Sequence, residues 1–287
     1  MFRKPLVMWL LATILSFASL PAVAAQGTKD ASPFSFAIVA DPQIGMVRLE
    51  RDRENFTKVV KAINELKSRV RPSIVIIAGD LSDHAGNQTE IDSFIQVEKT
   101  FAMPVYAIPG NHDLARDGKH FEAALLDLYR KAIGPDRFAF EQAGCLFVGL
   151  NSQLWIGDAN LAAEQFKWLE QKLRHRNEIR HVFIIQHHPF YVTAADEADE
   201  YFNTPLIWRT RLLRLFRKAK VTAVFTGHLH RNQSNNYYGI AMITTPSTCR
   251  NFDGSAFGYA LVTITDVGFS YKYVGVPGTL PDERPAK

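Results

Sequence analysis

With 47% hydrophobic and 22% charged residues in 287, the chain has the balance of an ordinary globular protein and is not fibrous, disordered or polytopic. That length allows one large α/β domain with a well-buried core, or two small ones. The net charge of +4 falls to +2 once Arg3 and Lys4 are set aside with the N-terminal segment described next, so charge gives no case for nucleic-acid binding.

Residues 1–25 read as a cleaved secretory signal. Arg3 and Lys4 give the positive start, Leu6 to Leu20 is a nearly unbroken apolar run, and Pro21 is followed by Ala22-Val23-Ala24-Ala25. The run is short for about 30 Å of hydrocarbon, so cleavage is preferred to an uncleaved anchor. The expectation is a periplasmic or secreted protein with no stable membrane span after cleavage. Cys145 and Cys249 could pair in such a compartment, but both sit beside apolar runs and read as free buried thiols.

Beyond residue 26 a single domain is expected, with its core at about 33–275. Short apolar runs alternate with amphipathic stretches. Phe34 to Ala40 ends in Asp41-Pro42-Gln43, and Arg48 to Arg69 has helical spacing. Ser73 to Ala78 ends in Gly79-Asp80, and Glu90 to Thr100 is again helical. Val105 to Ile108 ends in Pro109-Gly110-Asn111-His112-Asp113. Lys119 to Ile133 reads as a helix stopped by Gly134-Pro135. A hairpin follows, turning at Ala143-Gly144 and ending at Asn151-Ser152-Gln153. After a helix at Ala162 to Arg176, the strand His181 to Ile185 ends in Gln186-His187-His188. An acidic loop and the basic helix Pro205 to Lys220 lead to Val221 to Thr226, which ends in Gly227-His228-Leu229-His230. The remaining runs, Ile240 to Thr244, Tyr259 to Thr265 and Phe269 to Val274, read as antiparallel strands. The pattern predicts an α/β sandwich.

Five separate apolar runs therefore end in Asp, Asn or His. Sites in open α/β sheets form at strand carboxyl ends, so five such ends together are a strong signal. Carboxylates, an amide oxygen and imidazoles suit divalent ions such as Mn, Fe or Zn. Two ions about 3.5–4 Å apart can activate water and neutralise a phosphoryl oxygen. A nearby His can protonate the leaving group, and His112 followed by Asp113 suits an oriented acid–base pair. His188 reads as a supporting or packing residue, and His84, His120, His175 and His181 as lacking a metal role.

The series Asp41-x-Gln43, Gly79-Asp80, Gly110-Asn111-His112-Asp113, His187 and Gly227-His228-x-His230 resembles that of the calcineurin-like metallophosphoesterases, in the family's order. Asp41-Pro42-Gln43, Asn151-Ser152-Gln153, Gln186-His187, Tyr201-Phe202-Asn203 and Cys249 are similar to its serine/threonine phosphatase subgroup. The resemblance implies a four-layer α/β-β/α sandwich of two mixed sheets flanked by helices, and a dinuclear site. It implies Asp41, Gln43, Asp80 and His230 on the first metal, with Asp80 bridging, and Asn111, His187 and His228 on the second. His112 would be the general acid, oriented or charged by Asp113. Gln43 stands where the usual pattern has His, which weakens that site, shifts its metal preference, or leaves Gln43 pointing away. Arg231 and Arg250 are candidates for gripping phosphate, and Asn151 for binding substrate. The expected reaction is phosphomonoester hydrolysis by attack of a metal-bridging hydroxide, on a small-molecule or phosphoprotein substrate. The alternatives are a phosphodiesterase acting on cyclic nucleotides or glycerophosphodiesters, and a catalytically weak metal-binding protein.

Overall fold

The first apolar run alternates within itself. Phe36, Ile38 and Ala40 enter one core while Ala37 and Val39 enter another. A strand sends successive side chains to opposite faces, so a strand apolar throughout is covered on both sides. The computed structural model, which describes residues 34–174, 178–265 and 268–279, shows this for every central strand. The expected signal segment lies outside those residues.

In chain order the elements are β1 (Ser35–Val39), α1 (Leu49–Asn64), β2 (Ile74–Ala78), α2 (Gln88–Glu98), β3 (Val105–Ile108), α3 (Asn111–Leu114), α4 (Ala123–Ala132), β4 (Phe138–Gln142) and β5 (Cys145–Gly149). There follow α5 (Gln153–Gly157), α6 (Ala159–Lys172), β6 (His181–Ile185), α7 (Leu206–Lys218), β7 (Ala223–Thr226), β8 (Gln233–Tyr237), β9 (Ile240–Thr244), β10 (Gly258–Thr265) and β11 (Gly268–Gly275). One sheet has the order β11-β10-β1-β2-β3 and the other β4-β5-β6-β7-β9-β8. β1–β2–β3 run parallel, as do β5–β6–β7–β9, while β10, β11, β4 and β8 pair antiparallel.

Three apolar layers hold this together. Phe36, Phe147, Phe183 and Phe225 fill the space between the sheets, with the Phe36 and Phe147 rings edge to face at 5.0 Å. Phe56, Val59, Val60 and Ile63 of α1 cover the outer face of the first sheet with Phe94 of α2. Leu169 of α6 and Leu212, Leu213 and Phe216 of α7 cover the second. The result is the expected four-layer α/β-β/α sandwich. Cys145 and Cys249 are buried and free.

Three details differ from the sequence expectation. α4 begins at Ala123 rather than Lys119, because residues 117–122 form a turn in which Asp117 caps the N–H groups of Lys119 and His120. β9 pairs parallel with β7, and its antiparallel partner is β8, whose sequence Gln-Ser-Asn-Asn-Tyr carries no apolar alternation. An edge strand needs no second apolar face, so pattern alone misses it.

Candidate metal centre

The carboxyl ends of β1 and β2 from one sheet meet those of β6 and β7 from the other. Bonds between the sheets fix the meeting. His187 Nδ1 donates to the Ala78 carbonyl at 2.9 Å, and the His228 N–H donates to Asp41 Oδ1 at 3.0 Å. Asp41, Gln43, Asp80, His228 and His230 all have left-handed backbone, with φ of 48°, 37°, 49°, 68° and 49°. Such conformations cost non-glycine residues about 1–2 kcal/mol each and persist where surrounding structure enforces them. Here they turn each side chain inward just past its strand. Two glycines give the room: a Cβ on Gly110 would land on the Asp80 carboxylate, and one on Gly227 would come within 2.6 Å of Asp41 Oδ2.

Backbone carbonyls set the imidazole tautomers. A carbonyl only accepts, so each facing ring nitrogen carries a hydrogen. His187 Nδ1 gives its hydrogen to Ala78, His228 Nε2 to Tyr201 at 3.0 Å, and His230 Nδ1 to Arg250 at 2.7 Å. In their neutral forms this leaves His187 Nε2, His228 Nδ1 and His230 Nε2 with lone pairs. The Asn111 amide is oriented likewise: Nδ2 donates to the Gly118 carbonyl and the Tyr201 hydroxyl, both at 2.9 Å, and Oδ1 turns inward.

These atoms converge. His187 Nε2 lies 2.9 Å from Asn111 Oδ1, 3.2 Å from His228 Nδ1 and 3.3 Å from Asp80 Oδ2. Four ligands about 2.1 Å from one tetrahedral ion stand about 3.4 Å apart, close to this spacing. Three buried ligand atoms thus surround His187 Nε2 at the spacing a shared cation would need once that ring is neutral. Asp41, Asp80 and His230 form a second group whose ligand atoms all lie within 4.8 Å of one another. The donor set thus fits two ions with Asp80 between them. His188 belongs to a group with His187 and His228, but its Nδ1 meets Ser152 Oγ at 3.1 Å and Gln153 Nε2 at 3.2 Å, which engages it in packing and support.

The electrostatics match. Burial pushes the His228 and His230 imidazoles down to about 3 and about 4, which keeps them neutral and able to ligate. Burial raises the Asp41 carboxyl to about 8. Burial acts on Asp80 in the same sense, but the imidazoles of His187 and His112 outweigh it and hold Asp80 well below the usual carboxylate range.

His112 sits at the rim with 27% of its side chain exposed. Its Nδ1 donates to the Asp83 carbonyl at 2.8 Å, and Asp83 Oδ1 lies 3.4 Å away. Burial lowers its pKa, but the Asp80 charge and the Asp83 carbonyl and carboxylate outweigh burial, and the net direction is up. Asp113, expected to orient His112, does not. Its carboxylate accepts the N–H groups of Gly110 at 2.8 Å, Leu81 at 3.0 Å and Ser82 at 3.2 Å, tying the Gly110 turn to the end of β2. Neighbours on a helix point about 100° apart, so the two side chains of α3 diverge. Asp83 is the acidic residue that sequence reasoning missed. The signal was its place three residues past Asp80 in the same strand-end loop.

Gln43 has protein partners of its own. Its Nε2 donates to Asp83 Oδ1 at 2.9 Å and its Oε1 faces the Cys249 thiol at 3.7 Å, so the amide meets protein at both ends. Asn151, expected to bind substrate, is bonded within the fold. It is fully buried, its Nδ2 donates to Asp136 Oδ2 at 3.0 Å, and its Oδ1 accepts the Gln153 N–H at 3.0 Å. Among the described residues no hydrogen bond or ion pair links the Arg231 side chain to the cluster, and its buried Nε has no partner. Arg250 joins the site through its carbonyl, while its guanidinium lies 5.2 Å over the exposed Phe252 ring, which stacks on His230.

The loop before α7 closes one side. Tyr201 packs on the His228 ring at 4.8 Å. Glu197 holds the loop in shape by accepting the N–H groups of Val192, Thr193 and Ala194 and by facing the buried Arg209 at 3.6 Å. The acidic stretch is therefore partly internal. Asp199 stays exposed and accepts the Leu206 N–H at the start of α7.

A model of the calcineurin-like phosphoesterases matches residues 34–232. The serine/threonine-protein phosphatase CPPED1 of Danio rerio is 30% identical over 266 residues, which is 84% of either chain. The 3′,5′-cyclic adenosine monophosphate phosphodiesterase CpdA of Escherichia coli is 25% identical over 232 residues, covering 80% of this chain and 79% of its own. Among solved structures, a dimetal phosphatase from Danio rerio shares the fold with a TM-score of 0.64 at 16% identity, covering 84% of this chain and 96% of that one. Matched over most of its length by the family's model, the chain belongs to the calcineurin-like phosphoesterases and is a hydrolase of phosphoric ester bonds.

Proposed function

We propose that this protein is an exported phosphomonoesterase whose site holds two divalent ions of the Mn, Fe or Zn kind. The observation that carries the metal reading is the convergence of Asp80 Oδ2, Asn111 Oδ1 and His228 Nδ1 on His187 Nε2 within 3.3 Å. Asp41, Asp80 and His230 would hold one ion, and Asp80, Asn111, His187 and His228 the other. When bound, the ions supply Lewis acidity toward the phosphoryl oxygens and lower the pKa of water. The chain's residues do the rest. With its Nδ1 hydrogen fixed on Asp83, His112 has Nε2 as the atom that protonates the leaving oxygen, and the nearby Asp80 and Asp83 charges favour its protonated form. Tyr201 walls the second ion's side and keeps Asn111 and His228 aimed.

Monoester preference is supported by the phosphatase relatives that cover 84% of the chain. A phosphodiesterase is the second reading, favoured by the likeness to the cyclic-nucleotide phosphodiesterase. Export rests on residues 1–25, and sequencing the N-terminus of protein recovered outside the cytoplasm tests it. The functional test is a metal-by-substrate matrix on the mature chain. Faster p-nitrophenyl phosphate than bis-p-nitrophenyl phosphate hydrolysis, lost in Asp80→Ala, supports the proposal. The reverse preference favours the diesterase, and no hydrolysis with any metal rejects both.

A further inference from the structure

Gln43 is buried and sits beside the first metal group, yet its side chain is oriented by Asp83. An amide nitrogen donates and a carboxylate accepts, so the 2.9 Å contact with Asp83 Oδ1 fixes which end of the amide faces which way. The oxygen is thereby directed to the Cys249 thiol, which also lies 3.0 Å from Ser247 Oγ and 3.5 Å from Met46 Sδ. The backbone supports the same arrangement: the Gln43 N–H donates to the Asp80 carbonyl at 2.7 Å, and the Asp83 N–H to the Ile44 carbonyl at 3.0 Å. The Asp41–Ile44 and Asp80–Asp83 segments are thus laced together. Asp83 meets the Gln43 amide through its carboxylate and the His112 imidazole through its carbonyl, with its Oδ1 3.4 Å from the same ring nitrogen.

We propose that Gln43 is a positioning residue for the general acid: its amide N–H holds Asp83, and Asp83 holds the His112 imidazole, so that position 43 serves leaving-group protonation instead of binding the first metal. This rests on the phosphoesterase reading for the role of His112.

The test compares wild type, Gln43→Ala and Gln43→Glu, the last keeping shape and oxygen while removing the donor. Each is assayed on p-nitrophenyl phosphate and on phenyl phosphate, which has nearly the same shape but a more basic leaving group that depends more on protonation. Metal content is measured by mass spectrometry and affinity by calorimetry. The expected result is a rise of about tenfold in the kcat ratio of p-nitrophenyl to phenyl phosphate in both variants, a modest part of what a general acid contributes, with two ions per chain in all three proteins. Loss of an ion in Gln43→Ala, tighter metal binding in Gln43→Glu, or an unchanged kcat ratio overturns the proposal. If the wild type hydrolyses neither ester, the phosphoesterase reading fails separately. The ¹⁵N shifts of the His112 imidazole then decide the role of Gln43: displacement in Gln43→Glu supports the link through Asp83, and identical shifts overturn it.

Discussion

The Tyr201 hydroxyl accepts the Asn111 amide N–H at 2.9 Å across 90 residues of sequence. One residue from the closing loop therefore joins the Gly118 carbonyl in holding the Asn111 amide nitrogen away from the cluster. Removing the hydroxyl in Tyr201→Phe leaves the ring on His228 and the Gly118 carbonyl as the amide nitrogen's remaining partner of the two. Loss of an outer partner of a metal ligand costs about 10–100-fold in affinity. We expect second-ion affinity, measured by calorimetry, to fall about tenfold with little change in thermal stability.

Asn151 separates a structural from a substrate role. It bonds Asp136 and Gln153 inside the fold and is fully buried. Asn151→Ala leaves those groups without partners, a loss of about 1–3 kcal/mol. Denaturant titration should show that loss while KM stays at the wild-type value. A raised KM with unchanged stability would restore the substrate reading.

Metal binding should release protons. In the metal-free site burial lowers the His187 imidazole, but the Asp80 and Asp41 charges outweigh it and raise it to about 9, while burial raises Asp41 to about 8. Both groups carry protons at neutral pH and must lose them to ligate. The sign follows for His187: its raised value stabilises the metal-free fold below about pH 6.5, and that contribution is lost as pH rises through about 9. Metal affinity should accordingly tighten from pH 6.5 to 9. Calorimetry in buffers of different ionisation enthalpy should give about one to two protons released per chain at pH 7.

Glu197 governs the closing loop in acid. Burial raises its carboxyl, but hydrogen bonds from Val192, Thr193, Asn203 and Ala194 outweigh burial and bring it to about 2. A depressed carboxylate contributes stability above its unfolded value, and the contribution is lost as pH falls from about 4.5 toward 2. Glu197→Gln should cost about 2 kcal/mol at pH 7, discounted for solvent access. The gap from wild type should close near pH 2 in urea titrations.

The candidate ligand positions were legible because apolar strands announce themselves and their ends carry polar residues with no packing reason to be there. Asp41, Asp80, Asn111, His187, His228 and His230 are all read that way. The α/β sandwich was legible from apolar runs alternating with amphipathic stretches, and its four layers from the family resemblance. Partners set by loop return were not. Asp83 reaches His112 only because the segment after β2 folds back under α3, and adjacency in sequence pointed to Asp113 instead. Asn151 was read as a strand-end residue able to bind substrate, yet it is fully buried, and Gln165 of α6 accepts its N–H. β8 is an edge strand of polar residues, visible only through its pairing with β9.

The central claim is that Asp80 joins two cation sites, one built with Asp41 and His230 and the other with Asn111, His187 and His228. Metal stoichiometry of the purified mature chain, measured beside Asp80→Ala, tests it most directly. The account predicts two ions per chain in the wild type and loss of both tight sites, together with phosphoester hydrolysis, in Asp80→Ala. An Asp80→Ala protein that keeps two tightly bound ions and wild-type turnover would contradict it.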